Sequence, residues 1–481
     1  ADDERYVGLL LPPSVGGAMA NAVVPLCGRV PVNLNYTLSS DVINHCIAET
    51  GIRHVLTSRK LLEKQNLKID AELVYLEDFK DKVTLADKTI AALQGVVMPI
   101  GLLARHLGVH DLKDEDVFTI IFTSGSTGEP KGVMLTLGNI GSNVMAIDSV
   151  VHLHKDDVLL GILPFFHVFG YTGTLWTVLT LPPKGIYHFS PLKAREIGKL
   201  CGRHKATIIL ATPTFLRGLL QRCEVEQFAA VDVLVTGAER LPGELADAFE
   251  KKFGIRPIEG YGTTELSPLS ALNIPPSRAR DNPGEGVREG TIGRPIPGVD
   301  AKVVHLDTGE DLPPGSEGML LFRGPNVMKG YLNNPEKTAE VIRDGWYVTG
   351  DIAKIDADGF IQITGRESRF SKIGGEMVPH LRIEDAILEM SGAGVDEEGD
   401  IEVAVSAVPD TKKGERIVVL YKHLAKSPEE ICRGLQESSL PPLWVPSAEN
   451  FMKVDSIPVL GTGKLDLKAV KELARCQFPE K

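Results

Sequence analysis

Thr123-Ser124-Gly125-Ser126-Thr127-Gly128-Glu129-Pro130-Lys131-Gly132 is the stretch on which the reading of this chain turns. It follows Val117-Phe118-Thr119-Ile120-Ile121-Phe122, an apolar run with the composition of a buried strand. Small residues let a backbone come close to an anion. Successive N–H groups then form a nest around it, and hydroxyls and an ammonium add donors. The ligand that suits such a connection is a polyphosphate. A Gly/Ser-rich connection can also be no more than a flexible loop. A Walker loop counted from Gly125 requires Gly at position 130 before Lys131, and position 130 is Pro, so no P-loop NTPase is indicated.

Upstream, Tyr6 to Leu11 reads as a buried strand ended by Pro12-Pro13, Gly16 to Ala22 as helix, and Val30 to Leu34 as a second strand. His54-Val55-Leu56-Thr57 and Leu73-Val74-Tyr75-Leu76 continue the alternation, which is the pattern of a parallel sheet covered by helices. The 481 residues, 43% apolar, are enough for more than one domain. A net charge of −12 speaks against broad nucleic-acid binding. The six cysteines are scattered, without a CxxC pair, which fits a reducing compartment and not a structural zinc site. No apolar run reaches membrane-spanning length, and the first residues are no signal peptide, so the expected location is the cytoplasm.

Downstream, Gly138 to Val150 reads as helix. Leu160 to Gly170 ends in an aromatic-rich turn containing His167, which suits either a pocket wall or a satisfied core histidine; Trp176 and Phe189 read as core. Two strands, 206–211 and 233–236, run into turns, the second ending in Gly237-Ala238-Glu239. In open parallel sheets ligands sit beyond the carboxyl ends of strands, so both turns become pocket walls. Gly260-Tyr261-Gly262-Thr263-Thr264-Glu265 supplies an aromatic to stack on a base, a glycine for close approach, hydroxyls for phosphate and a carboxylate to hold Mg²⁺. From about 275 prolines and glycines punctuate short strands, as in a small β-barrel. Asp351 suits a ribose diol, with a plain turn aspartate as the alternative. Asp356-Ala357-Asp358-Gly359-Phe360 is a hairpin signal, not an EF-hand. Leu381 to Met390 reads as an amphipathic helix, 401–408 as an alternating strand and 417–421 as another.

The 123–132 stretch resembles, almost letter for letter, the phosphate loop of the adenylate-forming superfamily, which includes acyl-CoA synthetases, luciferases and the adenylation domains of peptide synthetases. The 260–265 stretch resembles that group's Tyr-Gly-x-Thr-Glu motif without a mismatch. The resemblance implies an α/β fold: αβα-layered sheets over 1–274 and a β-barrel over 275–366 in a large N-terminal domain, with a small mobile α+β domain over 367–481. Members usually carry further elements before the first strand here, so the expectation is a fragment or part of a fused polypeptide.

The resemblance also implies roles. Thr123, Ser124, Gly125, Ser126, Thr127, Gly128 and Lys131 hold the β- and γ-phosphates of ATP. Thr264 and Lys464 reach the α-phosphate, and Glu265 holds Mg²⁺. Gly237, Ala238, Glu239, Tyr261, Gly262 and Thr263 line the adenine and acyl pockets; Asp351 and Arg366 hold the ribose; His167 lies by the carboxylate pocket. Lys372, Gly374 and Gly375 border the tunnel for a phosphopantetheine thiol, and Ser368 is the hinge, where Asp or Lys is usual. Leu137 stands where relatives commonly have His.

The reaction implied is attack of a carboxylate on the α-phosphorus of MgATP, giving acyl-AMP and pyrophosphate, followed by displacement of AMP by a thiol. Amino-acid-activating relatives keep an acidic residue for the α-ammonium. The turn 165–170 has none, so a fatty or other apolar acid is expected. Residues 324–332 and 370–380 look like the acyl-[acyl carrier protein] synthetase branch associated with 2-acylglycerophosphoethanolamine acyltransferase. That branch implies acyl carrier protein as acceptor, a fused or associated lysophospholipid acyltransferase, and placement at the inner face of the membrane through it. Two alternatives stand: a fatty acyl-CoA synthetase with CoA as acceptor, and an inactive nucleotide-binding module. Lys464, Glu265 and the intact loop speak against the second.

Overall fold

The computed structural model describes residues 3–80, 82–124, 130–280, 286–366, 369–373, 376–391, 401–410, 414–438, 440–459 and 465–478, without the side chains at 80, 124, 372, 376 and 377. The chain divides into two compact units, Ala1–Ala301 with Phe322–Tyr347, and Lys302–Leu321 with Val348–Lys481.

The first unit holds two seven-stranded sheets. In the first sheet, β1 (Tyr6–Leu10), β2 (Val30–Asn33), β3 (His54–Thr57), β4 (Glu72–Tyr75) and β5 (Val117–Ser124) are parallel, and β6 (Pro130–Thr136) returns antiparallel to β5. The order is β6-β5-β2-β1-β3-β4, and a two-residue strand, Gly330–Tyr331, closes the β6 edge. β1 and β2 are apolar and buried almost end to end, as a sheet covered on both faces requires. Ser14 caps the helix Val15–Leu26, and Thr136 caps Leu137–Val150 in a capping box with Asn139.

In the second sheet β7 (Val158–Gly161), β8 (Lys184–Tyr187), β9 (Ile208–Ala211), β10 (Val233–Thr236) and β11 (Ile258–Gly262) are parallel. Two antiparallel strands, β12 (Leu269–Leu272) and β13 (Arg294–Pro295), extend the β11 side. The alternation predicted upstream is therefore present in both sheets. The turn after β7 continues into the short helix Val168–Gly170 and a π-helical turn, Tyr171–Trp176, with Tyr171 fully buried. Trp176 packs against the core, but Phe189 does not: it is 43% exposed, stacked on His188 with the Lys64 ammonium 5.2 Å from its ring. A pattern of apolar residues does not distinguish an aromatic under the sheet from one past its end.

In the second unit the strand Trp346–Ile355 pairs antiparallel with Ile361–Arg366 through the turn expected at 356–360, where Gly359 takes a φ of +85°. The strands Val403–Asp410 and Gly414–Tyr421 pair over eight residues, and Phe451–Lys453 lies parallel to the latter. Residues 403–408 are buried on both faces, although the sequence alternates. Helix His380–Ser391 packs on Val403 and Val405, and helix Leu467–Gln477 packs on the opposite-facing Ala404 and Val408.

Candidate functional site

The hairpin β5–β6 sets the site. Thr123 is paired with Lys131 and Ser124 with Pro130, at the carboxyl end of β5, the outermost of the parallel strands. Gly125, Ser126, Thr127 and Gly128 lie outside the described residues, as do Ser368, Gly374, Gly375 and Lys464. Gly132 is tightly packed: a Cβ there would stand 3.1 Å from Ile120 and 3.2 Å from Leu332, so a larger residue needs those side chains to give way.

Three residues far apart in sequence converge beside this hairpin. Tyr331 donates its hydroxyl to Glu265 Oε1 at 2.8 Å, and the Lys131 ammonium lies 5.6 Å from the centre of the Tyr331 ring. Burial pushes the Tyr331 phenol up, with the Glu265 carboxylate acting in the same direction. Burial also lowers the Lys131 ammonium below its usual range; Lys337 adds to this and Glu265 opposes it. The main chain holds the carboxylate's own backbone as well, since Met328 N donates to Glu265 O at 2.8 Å. Asn139 donates from Nδ2 to Pro325 O and Val327 O, and Leu332 N donates to Gly132 O. The segment 324–332 is thus stitched along the hairpin. Tyr331 was not a predicted site residue. Its 66-residue separation from Glu265 leaves no local signal.

The 260–265 stretch ends β11. Tyr261 stacks on Phe322, centroids 5.6 Å apart and planes at 26°, which fixes one ring face. A Cβ on Gly262 would fall 1.8 Å from Pro268 O, so only glycine fits. Thr263 Oγ1 is buried and has no protein partner, a donor–acceptor left for a ligand or water. At the end of β10, Gly237 has Phe169 against it, 3.3 Å from where a Cβ would be, and Ala238 sits in left-handed backbone at φ +68°. Phe169 thereby brings the turn carrying His167 to the 237–239 turn. His167 itself is exposed, ring to ring with Phe166 at 4.9 Å. Glu239 accepts from Thr214 N and Oγ1, the latter at 2.7 Å, and so fastens the start of helix Pro213–Arg222.

In the second unit Asp351 and Arg366 are opposite each other across two strands, and Arg366 Nε donates to Asp351 Oδ1 at 3.0 Å. The backbone of Lys372 lies in the strand Phe370–Ile373. Among the described residues no cluster of three or more His, Cys, Asp or Glu could hold a metal ion. No helix of the described residues is long and apolar enough to cross a membrane.

Residues 1–332 match the family model of AMP-binding enzymes. The chain belongs to the AMP-binding enzyme family. It is of the acyl-CoA synthetase type within it. A long-chain-fatty-acid–CoA ligase of Bacillus subtilis is 35% identical over 364 residues, 73% of this chain and 61% of that protein's length. A long-chain-fatty-acid–CoA ligase of Escherichia coli O6:H1 is 28% identical over 99% of this chain and 86% of its own. The crystal structure of ATP-bound MatB from Rhodopseudomonas palustris superposes with a TM-score of 0.80 at 27% identity, covering 98% of this chain and 88% of that one. These structural neighbours share an α/β fold with a large N-terminal and a small C-terminal domain.

Proposed function

We propose that this enzyme is an AMP-forming acid–thiol ligase that activates a fatty or other apolar carboxylic acid with MgATP and passes the acyl group to CoA. The observation that carries the reading is the Lys131–Tyr331–Glu265 cluster at the carboxyl end of β5. ATP supplies the α-phosphorus to which the carboxylate bonds, and Mg²⁺ screens the phosphates. The protein's part is to position and neutralise. Thr123, Ser124, the loop 125–128 and Lys131 bind the β- and γ-phosphates. Tyr331 aims the Glu265 carboxylate at the cation. Thr264 and Lys464 face the α-phosphate. Tyr261, stacked on Phe322, lies by the adenine, next to Gly262 and the unpartnered Thr263 hydroxyl. Gly237, Ala238 and Glu239 form the facing wall; Asp351 and Arg366 take the ribose; His167 lies by the acid. Lys372, Gly374 and Gly375 border the thiol, and rotation about Ser368 separates the two half-reactions.

CoA as acceptor rests on relatives that are named CoA ligases. Acyl carrier protein as acceptor, with an associated acyltransferase, rests on the resemblance of 324–332 and 370–380 alone. ATP–pyrophosphate exchange across fatty acids of graded length tests the first half-reaction. Exchange with none of them refutes the proposal. Thioester formation with CoA and with holo-acyl carrier protein then decides the acceptor.

A further inference from the structure

In the second unit Ser371 Oγ lies 2.6 Å from His380 Nε2, and the two residues are only 3% and 7% exposed. The core around them is built from apolar side chains, among them Ile373, Val378, Ile383, Val403 and Val405. Beside the pair Arg369 is bonded to Glu384, whose Oε1 also accepts from Val405 N at 2.6 Å. Burial, with the Arg369 and Lys471 cations acting in the same direction, lowers the His380 imidazole to about 3, so the ring is neutral. Serine beside histidine does not make a hydrolytic dyad here, because a hydroxyl buried to this degree meets no ester.

Filling the core does not require this pair. Burying polar groups costs desolvation, and apolar side chains of the same volume hold such a place as well or better. What a hydrogen bond adds is direction, since it weakens steeply with distance and angle while apolar side chains slide past one another. Ser371 is in the strand Phe370–Ile373, which runs antiparallel to Glu376–Pro379, with Phe370 opposite Pro379 and Ile373 opposite Glu376. His380 opens the helix His380–Ser391, which packs on Val403 and Val405. The Ser371–His380 bond therefore ties the paired strands to the helix from inside, and Arg369–Glu384 ties the chain just before them. Lys372 belongs to the first of these strands, and positions 374 and 375 separate the two in sequence. Given the proposed reading of Lys372, Gly374 and Gly375 as the border of the thiol, we infer that Ser371 and His380 are positioning residues for thiol transfer: their hydrogen bond holds the strands 370–373 and 376–379 at the angle at which the thiol meets acyl-AMP.

The test uses the full chain and three variants, Ser371→Ala, His380→Phe and the double. ATP–pyrophosphate exchange reads the first half-reaction, thioester formation from synthetic acyl-AMP at varied CoA reads the second, and calorimetry reads the fold. Each single variant should lower kcat/KM for thioester formation about tenfold and leave exchange within about twofold of wild type. The double variant should lose no more than either single, because one hydrogen bond can be removed only once. Ser371→Thr, which keeps the hydroxyl, should recover most of the loss. Ser371→Ala removes a single atom and decides the matter by itself should His380→Phe fold poorly. Losses in both half-reactions that follow the melting temperature would assign the pair to folding and overturn the inference. So would thioester formation unchanged in the single variants, or losses that add in the double. Wild-type protein that exchanges pyrophosphate but forms no thioester would remove the proposed thiol border and the inference with it; wild-type transfer with unmoved variants removes the inference alone.

Discussion

The two ends of the parallel strands in the first unit carry polar groups of opposite character. At the amino ends, Asp157, Thr207 and Asp232 stand just before β7, β9 and β10. Arg278 donates to both Asp157 oxygens at 2.7 and 2.9 Å and to Asp232 at 2.5 Å, while Thr207 Oγ1 and His154 N complete Asp157. Burial raises the Asp157 carboxyl, but the hydrogen bonds from Arg278, His154 and Thr207 outweigh it and bring the group to about 2. At the carboxyl ends, Thr263 Oγ1 is buried without a partner, and the Lys131 ammonium meets a ring instead of a carboxylate. A saturated network serves folding. An unsaturated one is kept for a ligand, since buried valence left open costs stability that the fold alone does not return.

The largest effect expected from this contrast is on stability. Arg278→Ala leaves the buried Asp157 uncompensated and should cost about 3–5 kcal/mol, lowering the melting temperature by about 10 °C, while turnover per folded molecule changes little. Calorimetry beside exchange kinetics checks it, and a loss of exchange without a loss of stability breaks the contrast. Lys464→Ala should do the reverse: adenylation falls about 10²–10³-fold with the melting temperature unmoved, and thioester formation from synthetic acyl-AMP is far less affected. Equal losses in both halves would remove Lys464 from the α-phosphate. Tyr331→Phe deletes one hydrogen bond to a carboxylate and should raise the Mg²⁺ concentration for half-maximal exchange about tenfold. An unchanged Mg²⁺ titration would mean that Glu265 does not hold the cation.

The smallest effect concerns pH. Burial lowers Lys131, so its charge is lost as pH rises through a value below that of an ordinary lysine. Exchange should fall on the alkaline side at correspondingly lower pH. Lys131→Arg, protonated throughout, should move that limb upward, by about threefold in rate at the alkaline end. Superimposable limbs for the two proteins would separate Lys131 from the chemistry.

How much of this was legible in the sequence depends on the range of the interaction. The β5 run and its glycine-threaded continuation are local, and so is the 260–265 motif, where Gly262 is demanded by Pro268 six residues on. Apolar runs place β1 to β5, β9 and β10, while β6, β7, β8, β11 and the antiparallel β12 and β13 are not read as strands from the sequence. Tyr331 and the Asp157–Arg278 pair, 121 residues apart, depend on which strands become neighbours, and no local pattern encodes that. Phe189 fails for a related reason: periodicity names an apolar face, and the fold decides whether anything covers it. The helix Leu85–Val97 shows the same limit: its apolar residues recur at helical spacing, yet none of them is buried.

The two-residue strand Gly330–Tyr331 occupies the open margin of the first sheet, bonded to Val133 and Met134. It shields β6 from pairing with a neighbouring molecule and carries the phenol that holds Glu265. Warming or denaturant that peels this strip away would bare a sticky edge and disarm the carboxylate in one event. Inactivation and clumping of the enzyme should then share a single onset, and the first could serve as an early reporter of the second.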